Sequence, residues 1–407
     1  MANQILAGAV FQAGQVIAGV DANNPPVTGS GGGGGGSDEN STPTWIISGS
    51  AAANFPNGAL FVYDPNDLSA SPTKLTSGVN GGNLGRSVDA NSRYIVSSRV
   101  TPRVAYVWDT SNISAGPTTI SPGSNYGSSG DRFGDAIAVY NDTILIGARN
   151  DDDEEINAGA IYVYDGTDLT TAPTKLTAGN QSGRSDSFGY SVAMDGDVII
   201  VGSPADDGDD GSSNNGTAYM FDASNLSASP TKLTAGTNAA ANAEFGRDVA
   251  VSGNIIVIGA PFESSNRGAI YVFDASNLNS SPIRIQGPAG TNTYFGRSVA
   301  VDGDHIVVGA NLANNSGRAY LYDATNLSAS PTTLAPATPQ NDQNFGFSVD
   351  VRGDTIIVGA YRTWIDTESQ AGTAYVFDAT DISAGSTELS DPNYESSGFF
   401  GFSVTIA

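Results

Sequence analysis

The sequence predicts an all-β protein: a seven-bladed β-propeller of four-stranded antiparallel blades, preceded by a short N-terminal arm. Three observations carry that expectation. A Phe-Gly opening recurs at Phe133, Phe188, Phe245, Phe295, Phe345 and Phe400, with Leu84-Gly85 standing in once. These seven openings fall about 50 to 57 residues apart, the period range of propellers and other repeat arrays. An aromatic-Asp pair closes a later strand of the repeat at Tyr63-Asp64, Trp108-Asp109, Tyr164-Asp165, Phe221-Asp222, Phe273-Asp274, Tyr322-Asp323 and Phe377-Asp378, which again counts seven. Helical periodicity is absent, and the apolar runs are short and rich in Val, Ile, Tyr and Phe, as in half-buried or buried strands.

The unit is clearest from Phe295 to Leu334. Phe295 to Val301 and Asp304 to Ala310 are two apolar runs around an Asp302-Gly303 joint, a strong hairpin signal because Gly supplies positive φ cheaply. Gly317 to Asp323 adds a third strand. A fourth follows Pro331, whose missing amide donor suits an outer edge. Small residues follow the Phe-Gly glycine, as at Ser191, Ser298, Ser348 and Ser403, where blades converge and a side chain on glycine would crowd the neighbouring backbone. The second strand is apolar at consecutive positions, as in Ile356-Ile357-Val358, which fits burial on both faces.

A repeat that tiles most of 407 residues argues for one ring rather than several domains. Residues 1–29 lie outside it and carry two apolar runs, with Ile5, Leu6, Val10, Phe11, Val16, Ile17 and Val20, without the charge pattern of a signal peptide or the length of a membrane span. Side chains of that kind are costly in water, so the arm is expected to dock on a partner. Residues 30–43, with Gly31 to Gly36, read as a flexible tether. The propeller, residues 44–407, starts on a second strand at Trp45 to Gly49 and ends on a first strand at Phe400 to Ala407. The offset predicts that the last strand pairs with the first blade, closing the circle and removing two sheet edges.

Composition excludes several functions. A formal charge of −25 opposes binding to nucleic acid and to anionic membranes. With no cysteine there are no disulfides, thiolate metal sites or cysteine nucleophiles. The single histidine, His305, begins a second strand where other copies carry Thr143, Val198, Ile255 or Thr355, so a Ser-His-Asp triad or a multi-histidine metal centre is not expected.

From Thr44 to Ala407 the sequence resembles the FG-GAP repeats of integrin α-subunit heads and of many bacterial and viral surface proteins. The resemblance is carried by the Phe-Gly openings together with Gly-Ala or Gly-Ala-Pro closings of the second strand, most fully Phe245-Gly246 with Gly259-Ala260-Pro261, and also Gly147-Ala148, Gly202-Ser203-Pro204, Gly309-Ala310 and Gly359-Ala360. It implies the seven-bladed propeller; function it leaves open, because propellers host unrelated activities. Integrin-like blades often hold calcium between the first and second strands. Here that joint is a two-residue turn at Asn141-Asp142, Asp195-Gly196, Ser252-Gly253, Asp302-Gly303 and Arg352-Gly353, with no room for six to eight oxygen ligands.

Loop lengths place the binding rim. The first-to-second and third-to-fourth connections keep their lengths, whereas insertions fall between second and third strands and between blades. In an antiparallel blade those two variable connections emerge on one side, where a rigid scaffold displays binding residues. Two of the loops are acidic: Asp151, Asp153 and their neighbours Asp152, Glu154 and Glu155, and the set Asp206, Asp207, Asp209 and Asp210. Ca²⁺ is the one cofactor such loops suggest. A third loop offers Tyr361, Arg362 and Trp364 for a glycan or protein ligand.

The expected protein is therefore not an enzyme. It is a virion structural or surface protein, held by other virion proteins through its arm, recognising a host glycan or protein through its loops, and forming part of a homo-oligomer or larger assembly. A secreted or cell-surface adhesin is the alternative; a glycan-active enzyme using Asp151 and Glu155 is a more distant one.

Overall fold

The structure, a computed structural model, describes residues 44–51, 58–79, 84–99, 103–123, 130–181, 183–207, 214–290, 292–393 and 396–407. The arm residues Ile5, Leu6, Val10, Phe11, Val16, Ile17 and Val20, the tether at 30–43, and Asp209 and Asp210 lie outside the described residues.

Four-stranded antiparallel sheets follow one another along the chain, seven among the described residues. Blade 1 holds Ile46–Ser50, Ala59–Tyr63 and Thr73–Leu75. Blade 2 runs from Val88–Ala90 to Thr118–Ile120, blade 3 from Phe133–Tyr140 to Thr174–Leu176, and blade 4 from Ser191–Asp195 to Thr231–Leu233. Blade 5 runs from Val249–Ser252 to Ile283–Gln286, blade 6 from Ser298–Asp302 to Thr332–Leu334, and blade 7 from Ser348–Arg352 to Thr387–Leu389. Blade 1 receives its innermost strand from the other end of the propeller: Phe400–Ile406 pairs with Ile46–Ser50 in the register Ile46 to Ile406, Ile47 to Thr405 and Ser48 to Val404. The inner strands then contact one another in sequence around a closed circle.

The apolar patterning is explained by this geometry. Each sheet is covered on both faces, so the second strands are buried at consecutive positions rather than alternate ones. A hydrophobic cluster fills each gap between neighbouring blades; the layer between blades 2 and 3, for example, joins Val96, Val107 and Ile120 to Phe133, Ile146 and Tyr162. Within a blade the Phe of the opening packs on the aromatics of the third strand. Phe245 lies 5.2 Å from Tyr271 and 6.2 Å from Phe273, both edge-on, the favoured arrangement for two rings.

The two halves of the motif meet across a blade boundary. A Cβ at Gly259, in the closing of blade 5, would lie 2.1 Å from the carbonyl oxygen of Gly296, in the opening of blade 6. Gly296 itself has φ +84, and a Cβ there would lie 2.5 Å from the Ala269 oxygen. Backbone touches backbone at this point, so neither glycine can be replaced without displacing a blade. The first-to-second turn is tight as expected but sits one residue later than the Asp302-Gly303 joint: Asp302 pairs with His305, leaving Gly303 and Asp304 as the turn. Gly303 has φ +51, so glycine is needed at the first turn position. His305 Nδ1 lies 3.0 Å from the Gly353 carbonyl and joins blade 6 to blade 7.

Ring closure carries its own polar clasp. Thr405, on the closing strand, points its hydroxyl at two buried carboxylates, 2.9 Å from Asp89 Oδ1 of blade 2 and 3.1 Å from Asp350 Oδ2 of blade 7. Asp89 also accepts from the Val139 N–H at 2.7 Å, and Asp350 from the Ile406 N–H at 2.8 Å. Burial first, and then the charge of Asp89, push the Asp350 carboxyl up to about 8. Burial likewise lifts Asp89 to about 7, against the opposing pull of its hydrogen bonds and of Arg352.

Candidate recognition face

The third-to-fourth connections are alike in every blade. From the Asp that ends the third strand to the hydrophobe of the fourth, the spacing is the same for Asp64 and Leu75, Asp109 and Ile120, Asp165 and Leu176, Asp222 and Leu233, Asp274 and Ile285, Asp323 and Leu334, and Asp378 and Leu389. Each of these Asp residues accepts from the backbone N–H two residues on, at 2.8 to 2.9 Å, and so fixes a local turn. Side-chain and then backbone hydrogen bonds hold the carboxyls of Asp109, Asp165, Asp323 and Asp378 below the usual carboxylate range.

The opposite face carries the variable loops, and in three blades one acidic residue of the loop is tied inward. In blade 3, Asp151 accepts from the Tyr162 hydroxyl at 2.7 Å and from Lys175 Nζ at 2.6 Å. In blade 4, Asp206 accepts from the Tyr219 hydroxyl at 2.8 Å and lies 3.7 Å from Lys232 Nζ. In blade 5, Glu263 accepts from the Tyr271 hydroxyl at 2.6 Å and from Arg284 Nε at 2.9 Å. The tyrosine and the basic residue are cross-strand partners on the third and fourth strands in all three cases. Burial, reinforced by the carboxylate, pushes the Tyr162, Tyr219 and Tyr271 hydroxyls well above their ordinary range. Burial works against the charge of Lys175, but its bonds to Asp151 and Asp153 prevail and raise it.

These triads change the reading of the acidic loops. Asp151 and Asp206 are buried loop anchors, each held by a phenol and an ammonium. Asp153 shares Lys175 at 2.6 Å, and Asp207 accepts from the Asn214 N–H at 3.0 Å. Among the described residues, no group of three or more acidic or histidine side chains is placed to hold a metal ion. Asp151 is buried, whereas Glu155 stays exposed on the loop.

The third loop divides. Tyr361 is buried, not displayed: its ring lies 4.3 Å from Phe347, 5.4 Å from Phe402 and 5.7 Å from Phe399. Arg362 is exposed and lies over the Tyr361 ring at 5.5 Å. Trp364 is 55% exposed, and the Gln340 side chain brackets its backbone, accepting from its N–H at 2.8 Å and donating to its carbonyl at 2.9 Å. An exposed indole on a clamped backbone is a preformed contact surface.

One feature of the ring axis escapes sequence reading. The residue after the opening glycine varies among four types, all large or charged: Arg86, Asp135, Tyr190, Arg247, Arg297, Phe347 and Phe402. Contacts link these side chains from blade to blade at the variable end of the inner strands. Asp135 is ringed by Arg149 at 2.8 Å, Arg132 at 3.5 Å, Arg103 at 3.6 Å and Arg86 at 3.7 Å. Arg149 and Arg247 enclose the Tyr190 ring from 4.9 and 4.7 Å. Arg297 lies 5.1 Å over Phe347, which packs 5.3 Å from Phe402. The axis of the ring thus has a cationic arc across blades 2 to 6 and an aromatic arc across blades 7 and 1. Variation at one position of an otherwise regular motif was the available signal.

A family model of the FG-GAP repeat matches residues 124–164, 171–221, 229–273, 289–322 and 333–377, more than half of the chain. Comparison with curated proteins returns no match.

Proposed function

The chain belongs to the FG-GAP repeat family, and from that premise we propose that it is a non-enzymatic recognition protein presented on the outside of a larger assembly, as on a virion. In this reading the variable face points outward to a host glycan or protein, and the apolar arm at residues 1–29 docks on neighbouring structural proteins. The observation that carries it is the contrast between the faces: one built from seven identical local turns, the other from loops of differing length that display Arg362 and Trp364 on an anchored base. A rigid scaffold with diversity confined to one rim is the usual arrangement of a binding protein.

Two measurements test the two halves. Removing residues 1–29 is expected to leave the propeller folded and to abolish its incorporation into the native assembly; incorporation at the wild-type level would sink the docking role. Glycan and host-surface binding by the intact chain is expected to fall on Arg362→Ala and Trp364→Ala, with the melting temperature unchanged. Binding that survives both substitutions would remove this face from recognition, and turnover of a bound polysaccharide would make the protein an enzyme instead.

A further inference from the structure

We propose that the axial end of the variable face is a carboxylate receptor, built around Arg86 with Arg149 beside it, and that it takes a single sugar acid or another small carboxylate. The inference rests on the recognition role of this face and names the chemistry that it would select.

The charge balance points to an anion. Four guanidinium groups, from Arg86, Arg103, Arg132 and Arg149, surround one carboxylate, Asp135, in a protein whose overall charge is −25. Burial, reinforced by the charges of Arg149 and Arg103 and opposed by Asp135, holds the Arg86 guanidinium below its ordinary value. The hydrogen-bond balance agrees. Arg86 is 5% exposed, yet among the described residues its Nε and Nη2 have no hydrogen-bond acceptor, and the nearest Asp135 oxygen is 3.7 Å from Nε, beyond a hydrogen bond. Arg247, further round the same arc, also has a buried Nε without a hydrogen-bond partner. Leaving charged donors buried and unsatisfied is costly, and a carboxylate is the planar acceptor that fits a guanidinium fork.

Size and polarity narrow the ligand. The ring residues are buried, and the strongly negative protein repels a polyanion, which favours a ligand with a single acidic group.

The test uses the full chain with glucuronate, acetate and glucose as probes, read by calorimetric titration and melting temperature. Glucuronate and acetate are expected to bind and to raise the melting temperature, with glucuronate the tighter, and glucose to do neither. Acetate binding without glucuronate binding would assign the site to simple acids and overturn its place in sugar recognition. Arg86→Gln is expected to weaken glucuronate by at least about tenfold. Asp135→Asn removes the internal counter-charge without changing shape, so it is expected to lower the melting temperature in carboxylate-free buffer and to bind glucuronate more tightly. That gain cannot come from misfolding, and it keeps the test sharp if Arg86→Gln folds poorly. No response of the wild type to either carboxylate, or equal affinity in all three proteins, overturns the proposal. Retained glucuronate binding alongside failure of the Arg362 and Trp364 tests would sink the recognition role of the loops while leaving the receptor standing.

Discussion

The two faces of the ring solve the same problem, fixing a loop to a strand, in opposite ways. On the constant face each connection is fixed within itself, by an Asp such as Asp274 that bonds the N–H and hydroxyl of Ser276 two residues on. On the variable face the loop is fixed from outside, by a carboxylate such as Glu263 reaching to Tyr271 and Arg284 on separate strands. A self-contained turn admits one length and one shape. An anchor at the base of a loop leaves the rest free to lengthen, and that is why diversity collects on one side.

The contrast can be broken most severely where both faces depend on the same backbone contact. Gly259→Ala places a methyl carbon against the Gly296 carbonyl and is expected to cost more than about 4 kcal/mol, seen as insoluble or unfolded protein by circular dichroism. Next in size is the anchor. Glu263→Ala strands Tyr271 and Arg284 together and is expected to cost about 3 kcal/mol by denaturant unfolding. Tyr271→Phe, which removes only one donor, is expected to cost about 1 kcal/mol.

The clasp at ring closure gives a dependence on pH. Asp89 and Asp350 both have carboxyls lifted above their unfolded value of 3.8, to about 7 and about 8. Unfolding therefore releases protons between about pH 4 and 8, so their contribution is fullest at the acid end of that window and is lost as pH rises through it. A tenfold change in a carboxyl's affinity for its proton is worth about 1.4 kcal/mol. Asp350→Asn is expected to flatten this decline in a series of melts, and an unchanged slope would remove the pair as its origin. The smallest effect belongs to the constant face: Asp274→Ala, with six equivalent turns intact elsewhere, is expected to lower the melting temperature by about 1 °C.

What could be read from sequence follows the same division. The blade count, the closing strand and the crowded glycines were legible because each is repeated, so that one copy checks another. The turn was misplaced by one residue because Asp302, Gly303 and Asp304 offer two equivalent joints, and only the pairing of Asp302 with His305 decides between them. Asp151 and Asp206 read as loop charges because their partners sit on the two strands that follow, beyond the reach of a local motif. The matching pairs Tyr162 with Lys175, Tyr219 with Lys232 and Tyr271 with Arg284 were nonetheless visible at one position of the repeat. Tyr361 looked available because a single aromatic in a loop gives no hint of Phe347, Phe399 and Phe402 gathered beneath it. The arginines of the axis were harder still, since neighbours on a ring stand some fifty residues apart in the chain.

The pairing of Phe400–Ile406 with Ile46–Ser50 also sets an order of events during folding. Six blades are each drawn from one stretch of chain and can assemble as that stretch becomes available, but the first cannot be completed until the other six have been synthesised and Phe400–Ile406 has followed them. Until then Ile46 and Ile47 present an open, sticky strand edge. Contacts so distant in sequence form slowly, which makes this blade the place where a nascent chain is most exposed to aggregation and most in need of a chaperone.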